Sequence, residues 1–449
     1  MSDKTKRSST PNKRQKKKLK FFIDVDRFIT SLAYKIENVP VLGPLLFKLW
    51  RVLRSFARTL YIALTKFRIS RKKQPYELKG DAITSSVDVT PKDIIYVTKT
   101  KYLNGKGKGS IIGGNWDQLD ERFEDKEVFI ALKQVIMGQK DWEDTEYYQK
   151  TTAKLINGES LLGFTNEKEF NAHCNKFLNF AQKTDAAEDE SKQELFQQEY
   201  GGKIDINIGR YGHLLFYRGE HALALAKILG LDTIPVNIIF RHSQWMKFRK
   251  RYEILALGRG TKAYQPSLHP DLNHIPAQQG SVERFKLIKA NLSTQSGRLL
   301  DLGANLGYFC IQFEDQGFDC VAVENSPRFA YCLKGLKRSL NRDFKIITES
   351  LLDSQDIIRE PFDVVLALNI FHHLLKRKET FLKLENFLKN LKCKEMYFEP
   401  HLFDDPQMSQ SYINMQEYEF AEFVRSMVGL SQAGLIGRAS DNRPIYKIS

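Results

Sequence analysis

The stretch "RLLDLGANLGYFCIQF", residues 298–313, runs from apolar residues into a glycine-rich turn and out again into apolar residues. A short apolar run, a glycine cluster and a second apolar run read as strand, turn and helix. Glycine at such a turn lets the backbone approach a ligand closely. The dinucleotide fingerprint, G-x-G-x-x-G/A, is the first pattern to test. Here the run is Gly303-Ala304-Asn305-Leu306-Gly307, which lacks the middle glycine and brings the third one residue early. Asp301 stands at the strand end. A carboxylate there repels a pyrophosphate and suits a ligand with a positive ammonium and no phosphate.

From residue 281 to 449, helical and strand patterns alternate, which implies a mostly parallel sheet covered on both faces. Five further stretches follow in order: "CVAVENSP" (320–327), "FKIITESLLD" (344–353), "PFDVVLALNIFHHLL" (361–375), "EMYFEP" (395–400) and "GLIGRASDNRPIYKI" (434–448). Together with the opening turn they resemble the class I S-adenosylmethionine-dependent methyltransferases. The resemblance implies an α/β, Rossmann-like sheet closed by an antiparallel strand pair, with S-adenosyl-L-methionine as cofactor. It implies a cofactor site made by Asp301, Gly303, Asn305, Gly307, Glu324, Asn325, Leu351 and Asn369. Glu324 would take the ribose hydroxyls, and lies 17 residues past Gly307. Leu351 belongs to the stretch that resembles the third strand and adenine edge. Methyl transfer is an in-line displacement, so holding acceptor and methyl in line supplies much of the acceleration. An alcohol or amine acceptor also needs a base. Candidates are His373, His372 and Glu399, with His401 beside them, all at expected carboxyl ends of strands, where such sheets bind ligands.

The part before it reads as strand 204–208, strand 213–217, helix 220–229 and strand 234–240, preceded by helical patterns at 127–137, 144–156 and 166–182. "RGEHALALAKILGLDTIPV" (218–236) resembles the α+β ParB/sulfiredoxin-like fold, over about 85–245. There a glycine turn binds phosphates through a helix N-terminus and arginines. Gly219, Glu220 and His221 match that turn, while Ala222 replaces its last arginine. The expectation is a structural or substrate-positioning domain without tight nucleoside triphosphate binding. Residues 246–280, with Gly258, Gly260, Pro266, Pro270 and Pro276, read as a linker to the methyltransferase-like part, 281–449.

Charge sets the N-terminus apart. Residues 1–80 hold 21 Lys/Arg against 5 Asp/Glu, a net of +16, whereas the remaining 48 basic and 49 acidic residues give −1. Residues 1–20 form a polybasic tail expected to be disordered. Within 21–80, Lys48, Arg51, Arg54 and Arg58 share one helical face among Leu45, Leu49, Trp50, Leu53 and Phe56. Residues 1–75 can thus bind an anionic membrane surface, or the helix can pack on the protein's own body. Sequence-independent contact with nucleic acid is a third, less favoured use of the tail. The five cysteines, Cys174, Cys310, Cys320, Cys332 and Cys393, include no C-x-x-C pair, and no Cys/His cluster has metal-ligand spacing. With no apolar run long enough to span a bilayer, the expectation is a cytoplasmic protein, either free or peripheral on the inner face of a membrane. The function expected is methyl transfer to an acceptor that the sequence does not name. A glycan or lipid-linked sugar would suit a membrane surface. The alternatives are a non-catalytic regulator that binds S-adenosylmethionine or a nucleotide, and a nucleic-acid-binding ParB-like protein.

Overall fold

The computed structural model describes residues 85–449 except 104, 160–162, 258–261, 279, 355, 356 and 358. The expected tail (1–20) and amphipathic helix (within 21–80) lie outside the described residues.

The N-terminal lobe contains β1 (Ser85–Val89), β2 (Ile94–Val97), β3 (Ile111–Ile112), α1 (Glu127–Ile136), α2 (Glu146–Ile156), α3 (Glu167–Asp185) and α4 (Asp189–Tyr200). It continues with β4 (Asp205–Ile208), β5 (Leu214–Arg218), α5 (Glu220–Ile228), β6 (Ile234–His242) and α6 (Ser243–Leu257). Side-chain caps fix two starts: Thr145 accepts from the Tyr148 amide before α2, and Asn166 from the Glu169 amide before α3. The strands form a mixed sheet in the order β1-β6-β4-β5-β2, with β3 also on β6. β6 lies inside the sheet, between β4 and the pair β1 and β3, and is buried at eight of nine positions, which is why its first seven residues, Ile234–Phe240, are apolar but for Asn237.

The C-terminal lobe follows: α7 (Gly280–Asn291), β7 (Gly297–Leu302), α8 (Tyr308–Glu314), β8 (Phe318–Val323), α9 (Pro327–Ser339) and β9 (Lys345–Ile347). Then come β10 (Phe362–Leu368), α10 (Lys378–Asn390), β11 (Cys393–Glu399), α11 (Glu417–Val428), β12 (Ala433–Arg438) and β13 (Pro444–Ile448). Pro327 opens α9, where its missing N–H costs nothing, and Lys337 and Arg338 complement the dipole at its last turn. The sheet order is β12-β13-β11-β10-β7-β8-β9. β11, β10, β7, β8 and β9 are mutually parallel, and β13 is antiparallel to both β11 and β12. This is the expected Rossmann-like sheet with its closing antiparallel pair. The chain moves outward from β7 to β8 and β9, then returns to the other side of β7 as β10. That reversal opens a crevice at the carboxyl ends of β7, β8 and β10, the place where sheets of this kind hold ligands.

The reading of 246–280 as a linker needs correction. Its first part is the body of α6, and Trp245, Tyr252, Ala263, Gln265, His269, Asp271 and Leu272 are all buried. One hydrophobic cluster runs from Phe170, Ile206 and Leu223 through Trp245 and Tyr252 to Leu306, Cys332 and Leu336 of the second lobe. Gly335 shows how close the lobes come, since a Cβ there would lie 2.2 Å from the Phe248 ring. The Asp271 carboxylate is held by Arg241 at 2.7 Å, Trp245 Nε1 at 2.8 Å and Arg249 at 3.2 Å. Prolines and glycines made the segment look like a connection, but its large aromatic and paired charges belong to a core. The described residues from 85 to 449 accordingly form one compact unit.

Of the cysteines, Cys174, Cys310, Cys320 and Cys332 are buried, Cys393 is half-buried, and all five are free thiols. Among the described residues no helix is long and apolar enough to cross a membrane.

Candidate functional site

The crevice is built on the glycine turn. Gly303, Asn305 and Gly307 all take left-handed backbone angles, with φ of 81°, 55° and 81°. The Gly303 and Ala304 amides both donate to the Val323 carbonyl at 2.9 Å, tying the turn to the end of β8. A Cβ at Gly303 would press on the Ile370 side chain at 3.0 Å. Glu324 follows β8 and is buried. Its carboxylate accepts from the Asn305 amide at 2.9 Å and the Ser326 amide at 2.8 Å. Asp301 is buried at the end of β7, with the Cys310 thiol 3.9 Å from Oδ2. Burial, and secondly the Glu324 carboxylate, push the Asp301 carboxyl up to about 7. No cation is among the groups that act on it. The Asn305 side-chain oxygen is buried without a hydrogen-bond partner. Two buried acids and an orphaned acceptor fit a ligand that carries a cation and hydroxyl donors.

The other expected residues take different positions. Asn325 is exposed, and Leu351 is buried in the cluster that includes Val321, Val323 and Phe371. Asn369, at φ 54°, donates to Tyr264 Oη at 3.1 Å and accepts from the Arg443 guanidinium. Arg443 also pairs with Asp405 at 3.3 Å.

The catalytic candidates gather at the ends of β10 and β11 but are not equivalent. His372 is buried and its Nδ1 has no partner. Burial, then the charges of His373, Lys376, Arg443 and His401, push its imidazole down to about 2, so it stays neutral. His373 is exposed, its ring centroid 3.9 Å from that of His372. His401 is buried, with Nε2 2.6 Å from Asn414 Oδ1. Glu399 is buried, and Arg284 donates to both of its carboxylate oxygens. Arg284 also donates to Asp441 at 2.9 Å. Burial raises the Glu399 carboxyl even against that guanidinium. Its oxygens are committed to Arg284, which makes it an ion-pair partner rather than a proton acceptor. Truncating Arg284 to methionine strands a buried carboxylate, and should cost about 3–5 kcal/mol of stability in a urea titration. Glu399→Gln, which removes the charge, should cost less.

The Gly219–Glu220–His221 turn forms a second place. Gly219, at φ 90°, starts α5. It lies on a cavity of about 730 Å³, lined also by Lys99, Lys101, Lys126 and Arg218. Glu220 pairs with Lys126 at 3.5 Å. His221 stacks on Phe177 and its Nε2 is 2.9 Å from Tyr147 Oη. Burial, and secondly His173, push His221 down to about 3, so it is a neutral packing group rather than a cation. Among the described residues no three His, Cys, Asp or Glu side chains gather as a metal site.

Sequence reasoning missed Tyr264, Gln265, Arg284, Arg443, Asp405 and Asp441. Each is tied, directly or through one partner, to a residue at a strand end from an element remote in the chain, and no local pattern marks it.

Residues 300–391 match the family model described as methyltransferase domain. The match lies wholly within the C-terminal lobe. No curated protein matches the chain. Among solved structures, the bifunctional kinase-methyltransferase WbdD is 18% identical over 44% of this chain and 45% of its own, with a TM-score of 0.36. The match therefore spans less than half of WbdD. Magnesium protoporphyrin IX methyltransferase (ChlM) from Synechocystis PCC 6803, solved with bound SAM, is 13% identical over 37% of this chain and 76% of its own, TM-score 0.29. The N-methyltransferase NodS from Bradyrhizobium japonicum WM9 is 13% identical over 37% and 94%, TM-score 0.30.

Proposed function

We propose that the protein is an S-adenosylmethionine-dependent methyltransferase whose cofactor lies in the crevice beside β7, β8 and β10. The observation that carries this is the buried Asp301–Glu324 pair beside the left-handed turn, with the Asn305 oxygen unpartnered. When bound, S-adenosylmethionine supplies an electrophilic methyl on a sulfonium. Asp301 offsets the cofactor's positive charge, and Glu324 accepts its ribose hydroxyls. Gly303 leaves the backbone open to close approach, while Gly307 and Asn305 hold the turn. Asn369, fixed by Tyr264 and Arg443, lines the acceptor side. His373 takes the acceptor's proton, since it is the exposed member of the histidine pair and His372 stays neutral. The test is release of S-adenosylhomocysteine by the purified protein, with mass spectrometry of cell extracts made with and without it to find an acceptor lacking 14 daltons (one methyl for hydrogen). A protein that binds the cofactor but never turns it over would be a regulator instead.

Two further parts of the reading concern the N-terminal half. The basic cavity at Gly219 supports a ParB/sulfiredoxin-like lobe that positions a phosphate-bearing group of the acceptor through Lys99, Lys101 and Arg218. Lys99→Glu should then raise the acceptor KM about tenfold and leave cofactor affinity unchanged. The cationic residues 1–75 support apposition to an anionic membrane, which fits a glycan or lipid-linked acceptor. In vesicle flotation the full chain should follow anionic vesicles at low salt and lose them at high salt. Deleting 1–75 should abolish flotation without changing cofactor affinity.

A further inference from the structure

The stretch after α6 reaches into the crevice. Gln265 is 3% exposed, and its Oε1 accepts from the Leu306 amide at 3.0 Å and the Tyr308 amide at 3.3 Å. These are amides of the glycine turn and of the first residue of α8, which the helix itself leaves unsatisfied. One residue earlier, Tyr264 Oη meets the Asn369 side chain at the end of β10. The segment is pinned from behind, since the Ala263 amide donates to Pro276 O at 2.8 Å and Gln278 N to Ala263 O at 3.0 Å. Tyr252, Leu255, Ala263 and Tyr264 face Asn305, Leu306 and Phe329 across a gap of about 10 Å³, room for one water at most. Two neighbouring residues therefore hold two different walls of the crevice, those of β7 and of β10.

We propose that Tyr264 and Gln265 are positioning residues that roof the cofactor site, so that the site is completed from outside the methyltransferase sheet. This rests on the cofactor reading above. Gln265 fixes the turn through its acceptor oxygen, and Tyr264 sets the Asn369 side chain that borders the acceptor. Neither takes part in the chemistry.

The test is calorimetric titration of S-adenosylmethionine into the full chain and three variants. Gln265→Met keeps the volume and removes the acceptor, and affinity should fall about 10- to 100-fold, as expected for two stranded buried amides. Gln265→Glu keeps an acceptor at a helix N-terminus and should stay within about threefold of the wild type. A filler without a positioning role would not show that rescue. Tyr264→Phe should weaken binding roughly 3- to 10-fold, with the melting temperature of the free protein unchanged. If Gln265→Met fails to fold, Tyr264→Phe decides, and unaltered affinity there overturns the proposal. Equal affinity in Gln265→Met and wild type, or equal loss in the Met and Glu variants, also overturns it. A wild type that does not bind removes the cofactor reading, and the roof with it.

Discussion

Gly303→Val is expected to abolish S-adenosylmethionine binding, with affinity falling by at least about 100-fold in calorimetry. Two effects act together. The backbone at 303 has φ of 81°, a region that a β-branched residue enters only with strain. Its Cβ would also stand 3.0 Å from Ile370 Cδ1, closing the turn against the end of β10. The strain alone costs about 1–3 kcal/mol, which lowers the melting temperature without unfolding a unit of this size. Gly303→Ala, with a smaller side chain at the same φ, should fall between valine and wild type. Binding retained in the valine variant would place the cofactor elsewhere.

Asp301 gives the second large effect, with a sign. Its carboxyl sits at about 7 in the folded protein against 3.8 when unperturbed. Between those values the folded state keeps a proton that the unfolded state has lost. Asp301 therefore does no harm below about pH 4, and stability falls as pH rises through 7. The interval corresponds to at most about 4 kcal/mol at 1.36 kcal/mol per unit. Asp301→Asn should thus stabilise the free protein at pH 8 and leave it unchanged at pH 4, in denaturant titrations. A cationic ligand beside the carboxyl favours its ionised form, so binding near pH 7 should release roughly half a proton. Titrations in two buffers of different ionisation enthalpy would read that release, and it should vanish in Asp301→Asn. A neutral or anionic ligand would release none.

Where the fold could be read from the chain, local periodicity and the strand ends carried the signal. The turn at 303–307, Glu324 after β8 and Asn369 after β10 all lie within a few residues of a strand terminus, where a short motif reports them. β6 and α5 were legible for the same reason, as an apolar run and a helix between glycines. The linker reading failed because Pro266, Pro270 and Pro276 outweighed Trp245, Tyr252 and Asp271, whose partners sit in other elements. Glu399 looked like a free carboxylate because nothing near it in sequence points to Arg284, 115 residues away. His372 and His373 could not be told apart by sequence, since burial alone separates them. Arg218 stands next to Gly219 in sequence, but the lysines of the cavity were invisible likewise, since Lys99 and Lys101 follow β2 and Lys126 precedes α1.

The most direct test of the central claim is a calorimetric titration of the full chain with S-adenosylmethionine, S-adenosylhomocysteine and a nicotinamide dinucleotide in parallel. The account predicts saturable binding of the first two, with Kd of roughly 1–100 μM, the range of ordinary enzyme ligands, and loss of both in Glu324→Ala. It predicts no competition from the dinucleotide, whose pyrophosphate meets Asp301. Absence of heat with either S-adenosyl compound up to millimolar concentration, or dinucleotide binding that Glu324→Ala removes, would contradict it.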